Sequence, residues 1–103
     1  NILSNGKSFP ISYNLKQNYP NPFNPQTMIE FQNSINSNGF IYIYNVNGKL
    51  IRKLFEGKFL VGRNIFKWNG KNDFGEIVSS GNYIYTLKID GFQFQSRTMT
   101  FIK

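Results

Sequence analysis

Two carboxylates held close together can act as general acid and general base. This chain has five, Glu30, Glu56, Asp73, Glu76 and Asp90. They are scattered along the sequence, and only the fold could bring two together. There is no His and no Cys. That removes the usual proton carrier near neutral pH, the commonest metal ligand and all thiol chemistry. A catalytic site would have to rest on Lys or Tyr. The expectation is a protein that is not an enzyme and carries no cofactor or metal. Asn72, Asp73 and Glu76 offer too few converging oxygens for a Ca²⁺ loop. Trp68 with Tyr42, Tyr44, Tyr83 and Tyr85 could line a sugar-stacking cleft; the simpler reading is a buried Trp with tyrosines at strand edges.

The net charge of +7 allows an anionic partner. Only Arg52 and Lys53 are adjacent, however, and a nucleic-acid binder usually concentrates its cations on one element. The expectation is a solvated basic surface with no nucleic-acid partner. No apolar run approaches the ~20 residues that span a bilayer, so no transmembrane segment is expected. Asn1-Ile2-Leu3-Ser4 lacks the basic start and long apolar stretch of a signal peptide. The chain reads either as a mature product whose leader was removed or as a domain of a longer protein.

The elements that must position any surface site are strands. Asn, Gly and Pro punctuate short apolar runs every few residues, the rhythm of an all-β sandwich or barrel. Residues 1–8 form a polar lead-in, and 9–103 one domain. Phe9, Ile11, Tyr13 and Leu15 alternate with polar residues or Pro10, which marks an edge strand or arm. Tyr19, Pro20, Pro22, Phe23 and Pro25 form a stiff turn or polyproline-like corner. It could be a docking epitope or simply set the first strand's angle.

Thr27 to Gln32 is the second strand. Phe40 to Val46 is nearly all apolar and reads as a central strand covered on both faces. Asn47-Gly48 supplies a type I′ hairpin turn into Lys49 to Phe55. Arg63 to Trp68, Tyr83 to Ile89 and Phe92 to Ile102 complete about seven strands, as in a sandwich of this length. Gly48, Gly62, Gly70, Gly75, Gly81 and Gly91 read as positive-φ turn positions rather than an anion cradle.

Three ordered stretches carry more specific information. They are Tyr19–Phe31, Ile43–Leu54, and Trp68–Gly75 continuing through Val78–Tyr85. With the closing strand Arg97–Lys103, their order and spacing resemble the type A C-terminal sorting domain of the bacterial type IX secretion system. The later half is also similar to the Ig-like domain of flagellar hook-capping proteins. Two positions depart from the pattern: Asn69 replaces a frequent Asp after the Trp, and Arg97-Thr98 replaces a frequent Lys pair.

The resemblance implies an immunoglobulin-like antiparallel β-sandwich. It also implies a non-catalytic export label, read by an outer-membrane shuttle and cut by a sortase-like peptidase. The product would reach the cell surface or medium through the periplasm. Arg97 and Lys103, flanking an apolar strand, are candidate recognition residues, against ordinary edge protection. Trp68, Gly70, Tyr83 and the turn glycines are the structural set.

A second expectation is an extracellular filament subunit. In it Phe9–Leu15 would add as a strand to another copy of the chain. A third is a carbohydrate-binding accessory module, resting on the aromatic count.

Overall fold

The computed structural model describes residues 13–103. Phe9 and Ile11, the proposed start of the arm, and the lead-in 1–8 lie outside the described residues. Seven strands follow in order: β1 (Tyr13–Leu15), β2 (Thr27–Asn33), β3 (Ser37–Asn45), β4 (Leu50–Phe59), β5 (Gly62–Trp68), β6 (Gly81–Ile89) and β7 (Gln95–Phe101). They form a three-stranded sheet, β1-β2-β5, and a four-stranded sheet, β4-β3-β6-β7, antiparallel throughout. This is the immunoglobulin-like sandwich that the alternating apolar runs demand, since each sheet must bury one face against the other.

Alternation decides which side chains meet. In β2, Thr27, Ile29, Phe31 and Asn33 point inward and Met28 and Gln32 outward. Across the gap stand Ile41 and Ile43 of β3, Tyr83, Tyr85, Leu87 and Ile89 of β6, and Met99 and Phe101 of β7. Each fully buried apolar side chain contributes roughly 1.5–3 kcal/mol. β4 carries two bulges opposite Ile41/Tyr42 and Ile43/Tyr44. The extra residues are Leu54 and Ile51, and both pack against the core.

Two sequence expectations are corrected. β3 is central in its sheet, but only Ile41 and Ile43 are covered. Phe40, Tyr42 and Tyr44 lie half-buried on the outer face. An unbroken apolar run does not distinguish a strand sandwiched between layers from one whose outer rings cover each other. The β3–β4 turn is not type I′, which needs positive φ at both central residues. Among described non-glycine residues none has positive φ, and only Gly48 turns left-handed there, at 83°. The Gly48 N–H donates to the Asn45 carbonyl at 3.0 Å. The Asn45 side chain accepts from the Asn47 and Lys49 N–H groups at 3.0 and 2.9 Å, closing a longer loop.

One end of the sandwich is sealed by rings. Phe23 lies 5.6 Å from Trp68 and 5.0 Å from Phe101, and Trp68 lies 5.4 Å from Tyr83, between ring centroids. The Trp68 indole N–H donates to the Lys71 carbonyl at 2.9 Å. Gly70, at φ 73°, lies under the Phe101 ring, and a Cβ there would sit 2.8 Å from a ring carbon.

Gly70→Ala should therefore cost about 3 kcal/mol, left-handed strain plus overpacking. Gly75, at φ 81° with nothing within 4 Å of a built Cβ, isolates the first term; Gly75→Ala should cost about 1 kcal/mol. Urea unfolding of both variants checks this, and equal losses would refute the packing role of Gly70.

Candidate interaction surface

The Pro-rich corner is stitched to both sheets. Tyr19 and Met28 exchange backbone hydrogen bonds at 3.0 and 2.9 Å. The Phe23 N–H donates to the Thr100 carbonyl at 3.0 Å, and the Ile102 N–H donates to the Phe23 carbonyl at 3.1 Å. Asn21 accepts the Thr100 N–H at 2.9 Å. The corner is thus bent onto the outer edge of β7, and is not a free polyproline rod. Phe23 is buried, while Tyr19, Pro20, Pro22 and Pro25 are exposed. The corner's structural role leaves its Pro residues exposed, because they project from a backbone that Phe23 anchors.

The arm is laced across the sandwich as well. β1 pairs with β2, Leu15 opposite Phe31. From the other sheet, Gln95 accepts the Leu15 N–H at 3.0 Å and the Arg97 Nε donates to the Leu15 carbonyl at 2.7 Å. Gln17 donates to the Thr98 carbonyl at 2.8 Å. Of the recognition candidates, Arg97 is exposed and spends its Nε on this contact. Lys103 is exposed, and its N–H donates to the Ser80 hydroxyl at 2.8 Å.

Sequence reasoning missed the polar knot beneath. Buried Asn18 donates from its side chain to the Pro20 carbonyl at 3.1 Å and to the Thr27 hydroxyl at 3.0 Å. The Thr27 hydroxyl donates to the same carbonyl at 2.8 Å. The Tyr85 hydroxyl accepts the Asn18 N–H at 2.8 Å and donates to the Lys16 carbonyl at 2.7 Å. Asn18, two residues before Pro20, was the available signal.

Burial pushes the Tyr85 phenol up to about 12. Since its folded value exceeds the unfolded one, its stabilising contribution is full below pH ~10 and is lost as pH rises toward ~12. Tyr85→Phe should cost roughly 1–3 kcal/mol at pH 8 by leaving backbone groups unpaired. It should also flatten the loss of stability between pH 10 and 12. Chemical denaturation across that range measures both; an unchanged alkaline slope would refute the assignment.

The remaining charged groups are engaged separately. Glu30 bridges Arg63 at 3.0 Å and Lys16 at 3.1 Å across the outer face of the three-stranded sheet. Its carboxyl is held below the usual value by the Arg63 hydrogen bond and then by that of Lys16. Glu56 accepts the Tyr42 hydroxyl, which pushes that phenol up to about 12. Asp73 accepts the Lys53 N–H at 3.0 Å. Asn72 spends its side-chain oxygen on the Phe74 and Glu76 N–H groups, at 2.9 and 3.0 Å. Asn72, Asp73 and Glu76 thus spend side-chain oxygens on their own loop and on β4. Among the described residues no group of three metal-ligating side chains converges, and no helix is long and apolar enough to cross a membrane.

The aromatic residues do not line one cleft. Trp68, Tyr83 and Tyr85 face the core. Tyr42 and Tyr44 face outward because they occupy the alternate positions of β3. There Phe40 and Tyr42 stack at 4.0 Å, with Tyr44 and Phe94 at either end. The Lys53 ammonium stands 5.8 Å from the Tyr42 ring and that of Lys88 5.2 Å from Phe94. The stacked pair cover one face of each other.

Comparison with known proteins agrees with this architecture. No curated protein matches the chain. The family model described as the FlgD Ig-like domain matches residues 21–91, more than half of the sequence. That range holds five of the seven strands, β2 to β6, so Arg97 and Lys103 lie beyond it. With the seven-stranded sandwich on the page, the chain belongs to the FlgD Ig-like domain family.

Proposed function

We propose that this chain is a non-catalytic sorting module that directs export across the outer membrane and leads to the cell surface or medium. Family membership carries an Ig-like fold and no chemistry. The observation that carries the proposal is a convergence. Phe23, Trp68 with Gly70, and Tyr83 come from the stretches that resemble the sorting domain. They meet in one ring cluster around Trp68, which also takes in Phe101 of β7. The motif residues are thereby spent on gripping β7, with Ile102 and Lys103 left exposed beside it. A receptor such as the secretion shuttle would meet a rigidly held strand, which loses little freedom on binding. The carboxylates support a non-catalytic reading, because each of Glu30, Glu56, Asp73 and Glu76 is tied to a different structural partner.

The test is a periplasm-directed fluorescent protein fused ahead of residues 1–103, in a bacterium with a working type IX system. Fluorescence should reach the medium or surface, and should stay periplasmic when the shuttle gene is deleted or residues 95–103 are removed. Export that ignores the shuttle, or retention of the intact fusion, would overturn the proposal.

A filament subunit is the second reading, favoured by the seat of β1. Between β2 and β7, a three-residue strand has its backbone held by one sheet and by Gln95 and Arg97 side chains of the other. Such a seat is what strand addition requires, here filled by the chain's own arm. Asn14 pairs with Gln32, both exposed, and the chain has no native Cys. Asn14→Cys with Gln32→Cys should give covalent ladders on a non-reducing gel if arms exchange between copies. Only cross-linked monomer, at any concentration, would exclude exchange.

A further inference from the structure

Phe74 is the most exposed large apolar side chain among the described residues, at 88%. Its loop is firmly built. Besides the two bonds from the Asn72 side chain, the Asn72 N–H donates to the Glu76 carbonyl at 2.9 Å. The Gly75 N–H donates to the Asn72 carbonyl at 3.0 Å, and the Asp73 N–H to the Ile51 carbonyl at 3.1 Å. Arg52 reaches the Asn72 carbonyl from the side at 3.2 Å. A ring held out on a rigid turn makes no contribution to this chain's own core. It does have the properties of an interface anchor, since little freedom remains to be lost on docking.

The same end of the molecule has a place for such a ring. A groove of about 330 Å³ opens between the β3–β4 turn and the segment 78–83. Val46, Ile51, Val78 and Tyr83 supply apolar wall, Asn47 and Asn82 polar rim, and its lining carries no charge. Lys49 follows in the turn, and Lys103 is bonded beside it to Ser80. Phe74, in turn, is flanked by Asp73 and Glu76, two of the five acidic residues on a chain of net charge +7. Asp73 is paired with Arg52 of its own chain at 3.9 Å, so Glu76 is the acidic flank left to meet the basic residues near the socket of another copy. Copies of a cationic protein approach each other most favourably through such a contact.

Knob and socket share Ile51, whose carbonyl braces the loop and whose side chain lines the groove. They therefore lie side by side, at the strand ends joined by the β3–β4 turn and the loop that follows β5. Two surfaces at the same end pair reciprocally, which closes after two copies instead of propagating. We propose that Phe74 of each copy docks into the groove of a second copy, forming an end-to-end two-fold dimer. The contact is independent of the export reading. Being small, it belongs to the weak class, with a Kd on the order of 100 µM.

Sedimentation of the full chain over a concentration series tests this. Monomer should give way to dimer and stop there. Phe74→Ser should weaken association at least about tenfold with an unchanged melting temperature, because the side chain is exposed. Glu76→Lys and Lys49→Glu should each weaken it, and the two variants mixed in equal parts should associate better than either alone. A chain that stays monomeric throughout, or a Phe74→Ser dimer as tight as the wild type, would overturn the proposal. So would a monomeric chain whose groove is filled only by an added peptide of the sequence Asp-Phe-Gly-Glu, which would assign the groove to a different partner.

Discussion

Where the Phe101 ring lies on Gly70, the last strand is held against a backbone that has no side chain to spare. Trp68 packs beside it and anchors the following turn through its indole N–H. Phe23 closes the stack from the Pro-rich corner. Three regions distant in sequence are thereby fixed relative to one another by contact between rings, which tolerates neither an added methyl nor a missing ring. The pairing of Phe23 with Thr100 and Ile102 follows from that placement, as does the exposure of the residues after Phe101.

Many of the polar side chains serve the backbone. Asn18, Thr27 and Tyr85 satisfy backbone groups that the first strand and the Pro corner leave unpaired in the interior. Asn45 and Asn72 do the same for two turns at the surface. Gln95 and Arg97 carry hydrogen bonds across the open side of the sandwich, where no strand pairing links β1 to β7. Such bonds contribute modestly when made, yet their loss exposes the full desolvation cost of the partner left behind. They specify the position of the arm and corner more than they add to total stability.

The outer surface divides into regions of distinct character. A Lys16–Glu30–Arg63 bridge spans the three-stranded face. Stacked rings with nearby ammonium groups occupy the four-stranded face. At one end stand the braced Phe74 loop and the groove beside it. A fold of this kind leaves function to what is mounted on its edges and loops.

The sequence by itself determined the strands and their inward faces. A period of two, broken by Gly and Pro, is a local property, and it put Ile29, Phe31, Phe66 and Trp68 on the side that the sheets bury. It also determined what chemistry the chain lacks, since composition needs no fold. Whatever depends on two distant residues meeting was left to tertiary structure. Phe40 and Phe94 lie far apart in sequence, yet the β6–β7 hairpin returns one ring to the other. Asp73 reads as a loop carboxylate until β4 presents the Lys53 N–H to it. Tyr42 and Tyr83 look alike in sequence, and only the sheet's two faces made one a surface ring and the other a core ring. Local periodicity sets direction, but proximity across the sandwich is settled only when both sheets close on a common core.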